Sequence, residues 1–285
     1  MNGIDREISG LTDGGTVLYR IFDSHTHVYP EALAEKAAAG LGAFYHFQVA
    51  GKGTYDALEA EASESGTCGF LLFCVATNAH QVVHVNDSVA QLAARSRKNG
   101  FETIAFAGMH QDFADFEGEL ARCRAMGLTG VKLHPDIQGI NADDPKLLPL
   151  YALMQETGMT LYLHVGDDRA EYRFSSSERT AHVARLFPGL KIVAAHLGGY
   201  RSWDRSYRLF GLDNVFFDCS STLAELPADR AVRLMEQCGF DRILYGTDYP
   251  VMHLCDYLSL FLSLPLTETQ REDILYRNAK RLLGF

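Results

Sequence analysis

Positive charge is scarce in this chain of 285 residues: 26 Lys and Arg stand against 36 Asp and Glu, a formal net charge of −10. A basic stripe able to track a phosphate backbone is missing, which argues against a nucleic-acid partner. No apolar run approaches the roughly 18 residues needed to cross a bilayer. The opening stretch, Met1 to Glu7, has neither a basic n-region nor an apolar h-region. These absences predict a cytoplasmic protein with no membrane association. Neither C-x-x-C nor any other paired cysteine spacing occurs. The six cysteines (68, 74, 123, 219, 238, 255) are scattered, and several sit in apolar runs such as Phe70-Leu71-Leu72-Phe73-Cys74-Val75. They read as buried free thiols rather than disulfides or metal ligands. No G-x-G-x-x-G or Walker sequence follows any apolar run, which weakens a nucleotide-binding reading. Low-complexity linkers are absent too, so residues 1–285 are expected to form one domain.

What is present is a regular alternation. The chain is 47% hydrophobic and 22% charged, as in a globular protein with a large core. Short apolar runs fall at 18–23, 69–76, 103–108, 129–134, 159–165, 191–195, 214–218 and 242–246, with helix-length segments between them. Nearly uniform apolar strands separated by helices imply parallel βαβ units. Helices are predicted at 85–99, at 115–126 with Gly127 as a stop, and at 268–283 behind a Thr267/Gln270 capping box. Eight such repeats in a chain of this length predict a single closed (β/α)₈ TIM barrel. The longest connection, 28–68, carries Tyr29, Phe44, Tyr45, His46 and Phe47. It predicts helices plus a flap at the barrel mouth, inserted between strands 1 and 2, or else a plain surface excursion.

Catalytic groups of a barrel sit at the carboxyl ends of its strands. Those ends carry Asp23, His25, His27, His110, Lys132, His134, His164, His196, Asp218 and Asp248. In Asp23-Ser24-His25-Thr26-His27 the two imidazoles leave the same strand face and can share one divalent metal. Six of the 11 histidines lie in or just after strands 1, 3, 4, 5 and 6. Lys132 and His134 share a face by the same period. In the loop after strand 5, Arg169 and Arg173 are candidates to bind a substrate carboxylate, or pair with neighbouring acids on the surface. Trp203 lines the pocket or simply packs. His80, His84, His110 and His253 receive no role, and His46 and His182 read as surface or helix residues.

The order and spacing of these pieces resemble the amidohydrolase superfamily, specifically its amidohydrolase-related branch. The similarity runs from Ile21-Phe22-Asp23-Ser24-His25-Thr26-His27 through Gly130-Val131-Lys132-Leu133-His134-Pro135 and Leu161-Tyr162-Leu163-His164. It continues with Ala195-His196-Leu197-Gly198-Gly199 and Tyr245-Gly246-Thr247-Asp248-Tyr249-Pro250, and closes on Asn278-Ala279-Lys280-Arg281-Leu282-Leu283-Gly284. The resemblance implies His25, His27, His164 and Asp248 as metal ligands, with Asp248 also a catalytic base. It implies His196 either as a catalytic general acid/base or as a second-metal ligand. Three imidazoles and a carboxylate suit one Zn²⁺ per chain, or another divalent metal. Two metals are implied if Lys132 is carboxylated; otherwise Lys132 and His134 shape the pocket or bind an anionic group.

The expected reaction is hydrolysis of an amide, ester or lactone carbonyl of a small molecule by metal-activated water. The alternative on the same site is a metal-dependent decarboxylase or hydratase of a small unsaturated or aromatic carboxylic acid. A metal-bearing binding protein without catalysis is the reading from another class, disfavoured because storage needs no proton shuttle. A homodimer is expected on base rates alone.

Overall fold

Eight parallel strands alternate with helices around one barrel in this computed structural model, which describes residues 8–12 and 15–285. The leader reading of residues 1–7 lies outside the described residues. A hairpin of β1 (Ile8–Thr12) and β2 (Gly15–Tyr19) precedes the barrel and forms its own sheet. The barrel then runs β3 (Phe22–His27), α1 (Glu31–Tyr45), α2 (Tyr55–Ser65), β4 (Gly69–Phe73), α3 (Val82–Lys98), β5 (Glu102–Ala105), β6 (Ala107–Gly108), α4 (Phe116–Ala125) and β7 (Gly130–Leu133). It continues with α5 (Pro135–Gln138), α6 (Leu148–Thr157), β8 (Thr160–Leu163), α7 (Ser177–Leu186), β9 (Ile192–Ala194), β10 (Val215–Asp218), α8 (Ala228–Cys238), β11 (Ile243–Leu244), α9 (Leu254–Leu262), α10 (Glu268–Glu272) and α11 (Asn278–Leu283).

β5 and β6 are one barrel strand interrupted at Phe106, whose N–H still donates to Leu72 O at 3.0 Å. The seam between β11 and β3 carries no continuous ladder. It is held by Ser24 N–H to Tyr245 O (2.8 Å), His27 N–H to Tyr249 O (2.7 Å) and a parallel bridge between Thr26 and Tyr249. Asp23 reinforces it, accepting from Thr247 N (3.0 Å) and Thr247 Oγ1 (2.6 Å).

Two apolar layers explain why the strands read as continuous apolar runs. On β4, Leu71 and Phe73 point inward to join Phe22, Phe106, Tyr162, Val193 and Leu244. Phe70 and Leu72 of the same strand point outward, into a larger cluster beneath the helices. Period-two alternation therefore buries both faces.

Two expectations are corrected. The run 18–23 is not one strand: it spans the end of the hairpin and the start of β3, with Arg20-Ile21 between. The helix at 268–283 begins at the predicted capping box but is broken by a π-helical turn at Asp273–Arg277. The 28–68 connection holds α1 and α2, with α2 capped by Thr54 Oγ1 accepting from Ala57 N. Five cysteines are buried and Cys255 is exposed; none is bridged. Among the described residues no helix is long and apolar enough to cross a membrane.

Candidate metal centre

Four barrel strands deliver buried nitrogen and oxygen atoms to one point. His25 and His27 leave β3 with their Nε2 atoms 3.3 Å apart. Asp248, just past β11, brings Oδ1 to 3.1 Å from His25 Nε2 and 3.6 Å from His27 Nε2. His164, following β8, places Nδ1 3.0 Å from Nε2 of His196, which follows β9. His25, His196 and Asp248 offer ligand atoms within 4.8 Å of one another. His196 and Asp248 both hold positive φ angles, 60° and 63°, sparsely populated by non-glycine residues. Such backbones cost of order 1–3 kcal/mol each and persist where the surroundings over-determine them.

The partners on the far side of each ring decide what the converging atoms carry. His25 Nδ1 lies 2.8 Å from Asp218 Oδ2, an ionised acceptor, so Nδ1 holds the proton and Nε2 a lone pair. The Ser220 carbonyl 3.0 Å from His196 Nδ1 fixes that ring the same way. Gly166 O, 3.0 Å from His164 Nε2, holds the His164 proton there and leaves Nδ1 bare. His25 Nε2 thus faces the Asp248 carboxylate, and His164 Nδ1 faces His196 Nε2, lone pair to lone pair and away from water. Buried acceptors at this spacing repel unless a cation lies among them. Three or four N/O donors opening onto a cavity fit a divalent ion.

Lys132, fully buried on β7, brings Nζ to 3.3 Å from His25 Nε2 and hydrogen-bonds none of the other three imidazoles. It sits 5.0 and 4.7 Å from the Phe73 and Tyr162 ring centres. Burial pulls its ammonium down to about 8, against the pull of Asp218 and Asp248. Burial also lowers His27, His134, His164 and His196. His25 is raised: burial and Lys132 oppose its charged form, but Asp248 and Asp218 outweigh them. Asp248 is held far below the usual carboxylate range, since His25, His196 and His27 outweigh its burial.

Several residues that sequence reasoning left without a role organise this centre. Asp218 accepts from His25, from Tyr162 Oη (2.5 Å), from Ser220 Oγ (2.5 Å) and from the N–H groups of Ser220 (2.8 Å) and His196 (3.0 Å). Its sequence signal was only its place at a strand end. Ser221 Oγ donates to Asp248 Oδ2 at 2.6 Å. Tyr45 Oη, from the end of α1, lies 2.8 Å from His134 Nε2 and 3.1 Å from His164 Nε2. His134 stacks on His164 with ring centres 3.9 Å apart. Trp203 packs rather than lining the cavity, its indole N–H donating to His196 O at 2.9 Å.

The two arginine candidates do not reach the site. Arg169 is held by Asp167 at 2.9 and 2.7 Å and by Phe44 O at 2.6 Å, and its guanidinium covers the Tyr172 ring. An acid two residues away satisfies its charge locally. Arg173 is exposed and lies outside the cavity wall. His182 is an exposed partner of Asp143, and His46 ends α1 in the left-handed conformation.

A donor cluster of this kind at the carboxyl end of a (β/α)₈ barrel defines a metal-dependent barrel enzyme. More narrowly, the chain belongs to the amidohydrolase family, whose Amidohydro_2 model matches residues 22–285. It is 30% identical over 237 residues to a 2-amino-3-carboxymuconate-6-semialdehyde decarboxylase from Dictyostelium discoideum, a match covering 70% of this chain and 66% of that relative. In fold it resembles an uncharacterised TIM-barrel protein from Bordetella bronchiseptica (TM-score 0.73, 22% identity, 93% and 98% of the two chains). It also resembles a dihydroxybenzoic acid decarboxylase from Polaromonas sp. JS666 crystallised with manganese and 2-nitroresorcinol (TM-score 0.69, 17% identity, 93% and 97%).

Proposed function

We propose that the protein is a metal-dependent decarboxylase of an unsaturated or aromatic carboxylic acid. The carrying observation is the shape of charge in the cavity. The histidine–aspartate cluster, backed by the buried Lys132 against His25, forms one polar end of a space of about 760 Å³ whose other walls are mostly apolar, including Leu33, Leu41, Phe44, Phe47 and Val85. With a divalent ion held there, this end would attract a carboxylate. Losing carbon dioxide disperses its charge, a change that apolar walls favour and that needs no water nucleophile. The decarboxylase relatives support this over the hydrolysis expected from the sequence.

In this reading His25, His27, His164 and Asp248 hold the ion, with Asp218 and Gly166 O orienting His25 and His164. The bound ion would supply Lewis-acid polarisation of the substrate's oxygens. Lys132 adds positive charge beside His25. As the carbon–carbon bond breaks, its electron pair stays on the substrate carbon and carbon dioxide leaves. The proton which that carbon requires comes from solvent and is passed on through Nε2 of His196, whose ring Ser220 O holds in orientation. Zinc and manganese both suit this donor set.

The test is a panel of aromatic and unsaturated acids, with matched lactones and amides, offered to the metal-loaded protein. Carbon dioxide release that Asp248→Asn abolishes is the expected result. Turnover of lactones or amides with no carbon dioxide would refute decarboxylation and restore hydrolysis.

A further inference from the structure

α1 has an apolar stripe whose C-terminal end, Leu41 and Phe44, packs partly against the core and whose N-terminal end, at Leu33, is left open by the described residues. Of its 15 residues only Ala34 and Tyr45 are buried. Leu33, Ala37, Gly40, Leu41 and Phe44, at spacings of three and four, lie on one face and line the cavity. Leu33 is 55% exposed, the most exposed large apolar side chain among the described residues. An isolated helix of this length with glycines at 40 and 42 is marginal, so this face gains from being covered. Continuity with the donor cluster says by what: the stripe and the cluster line one space.

Charge narrows the occupant. Among the described residues no arginine lines the cavity, and the lysine and the imidazoles on its wall away from the donor cluster, Lys36, His80 and His84, are at the exposed rim. Arg169, the nearest candidate behind α1, is already neutralised by Asp167. A second carboxylate carried into the interior would meet apolar walls without a partner.

We infer that the substrate is a monocarboxylate with its acid group at the His25–Asp248 end and a bulky apolar body packed along Leu33, Ala37, Gly40, Leu41 and Phe44. This rests on the carboxylate-processing reading above for the direction in which the molecule lies. Gly40 provides a probe: a Cβ built there meets nothing within 4 Å, so a larger side chain grows into open space at the cavity mouth.

The experiment is calorimetric binding of benzoate and the ω-phenylalkanoates from phenylacetate to 6-phenylhexanoate to the zinc-loaded protein, with isophthalate as the diacid. Each methylene is expected to tighten binding about two- to fourfold, the gain for burying one CH₂. Isophthalate is expected to bind more weakly than benzoate. Gly40→Leu is expected to lower the ratio of 6-phenylhexanoate to benzoate affinity at least tenfold. Leu33→Gln, at an exposed position where folding is not at stake, should flatten the gain per methylene. A flat series in the native protein, isophthalate binding as tightly as benzoate, or an unchanged ratio in Gly40→Leu would overturn the proposal. Carbon dioxide release from short acids alongside a flat series sinks this inference and leaves the decarboxylase reading intact. A steep series with no carbon dioxide release does the reverse.

Discussion

Replacing Asp218 with Asn tests whether the buried network, rather than the ligands alone, sets metal affinity. Oδ1 of Asp218 accepts from two fixed backbone N–H groups, Ser220 at 2.8 Å and His196 at 3.0 Å, and from Ser220 Oγ. An amide nitrogen cannot face those donors, so the asparagine oxygen must take that side. Its NH₂ then points at His25 Nδ1 and Tyr162 Oη, where Oδ2 had accepted at 2.8 and 2.5 Å. To accept from an amide, His25 must move its proton from Nδ1 to Nε2, where the lone pair is needed for the ion. Outer partners of this kind are worth 10–100-fold in metal affinity, or about 1.4–2.7 kcal/mol. The assay is competition with a fluorescent chelator on refolding-competent protein, with circular dichroism confirming the fold. Native and D218N affinities within twofold of each other would refute the tautomer argument.

Two further outcomes follow from neighbouring geometry. Gly246→Ala places a Cβ 2.7 Å from His25 Cβ, so His25 must shift. An overpacking penalty of about 1–3 kcal/mol is expected, with metal affinity falling at least tenfold; thermal melts and chelator competition read both, and unaltered affinity would show that His25 tolerates the displacement. Burial raises the Asp136 carboxyl from 3.8 to about 6, despite donors from Ser175 and Phe174. The folded state therefore holds this proton more tightly than the unfolded one. Its contribution to stability is complete below about pH 4 and declines until the pH passes about 6, by up to about 3 kcal/mol. Asp136→Asn keeps an oxygen for the two backbone donors and should flatten that part of the stability–pH curve in urea melts. Identical slopes for both proteins would contradict it.

How much of this was legible without coordinates differs from feature to feature. The strands of the barrel proper were readable because burial on both faces writes a strand as a continuous apolar run, as in Phe70-Leu71-Leu72-Phe73. The hairpin strand ending at Tyr19 merged with the run that follows, because a single charged residue, Arg20, between apolar neighbours does not by itself mark a break in pairing. His25 and His27 were visible as a pair because two residues along a strand return to the same face. Asp248 was visible as a polar residue at a strand end, and its convergence with them was implied only by the family resemblance. The fate of Arg169 was not visible: its partners are an acid two residues away and the Phe44 carbonyl 125 positions back.

By itself the sequence determined the class of fold, the strand ends that carry chemistry and the absence of a basic surface, since each is a local pattern of side-chain type and period. Only the tertiary structure decided which of those ends meet. Asp218 reaches His25 across 193 positions, and Ser220 O fixes His196 across 24. These contacts exist only once the barrel brings β3 and β10 around one axis. It also decided that the apolar face of α1 lines the cavity of the site, because a helix pattern states which residues share a face but not what that face meets.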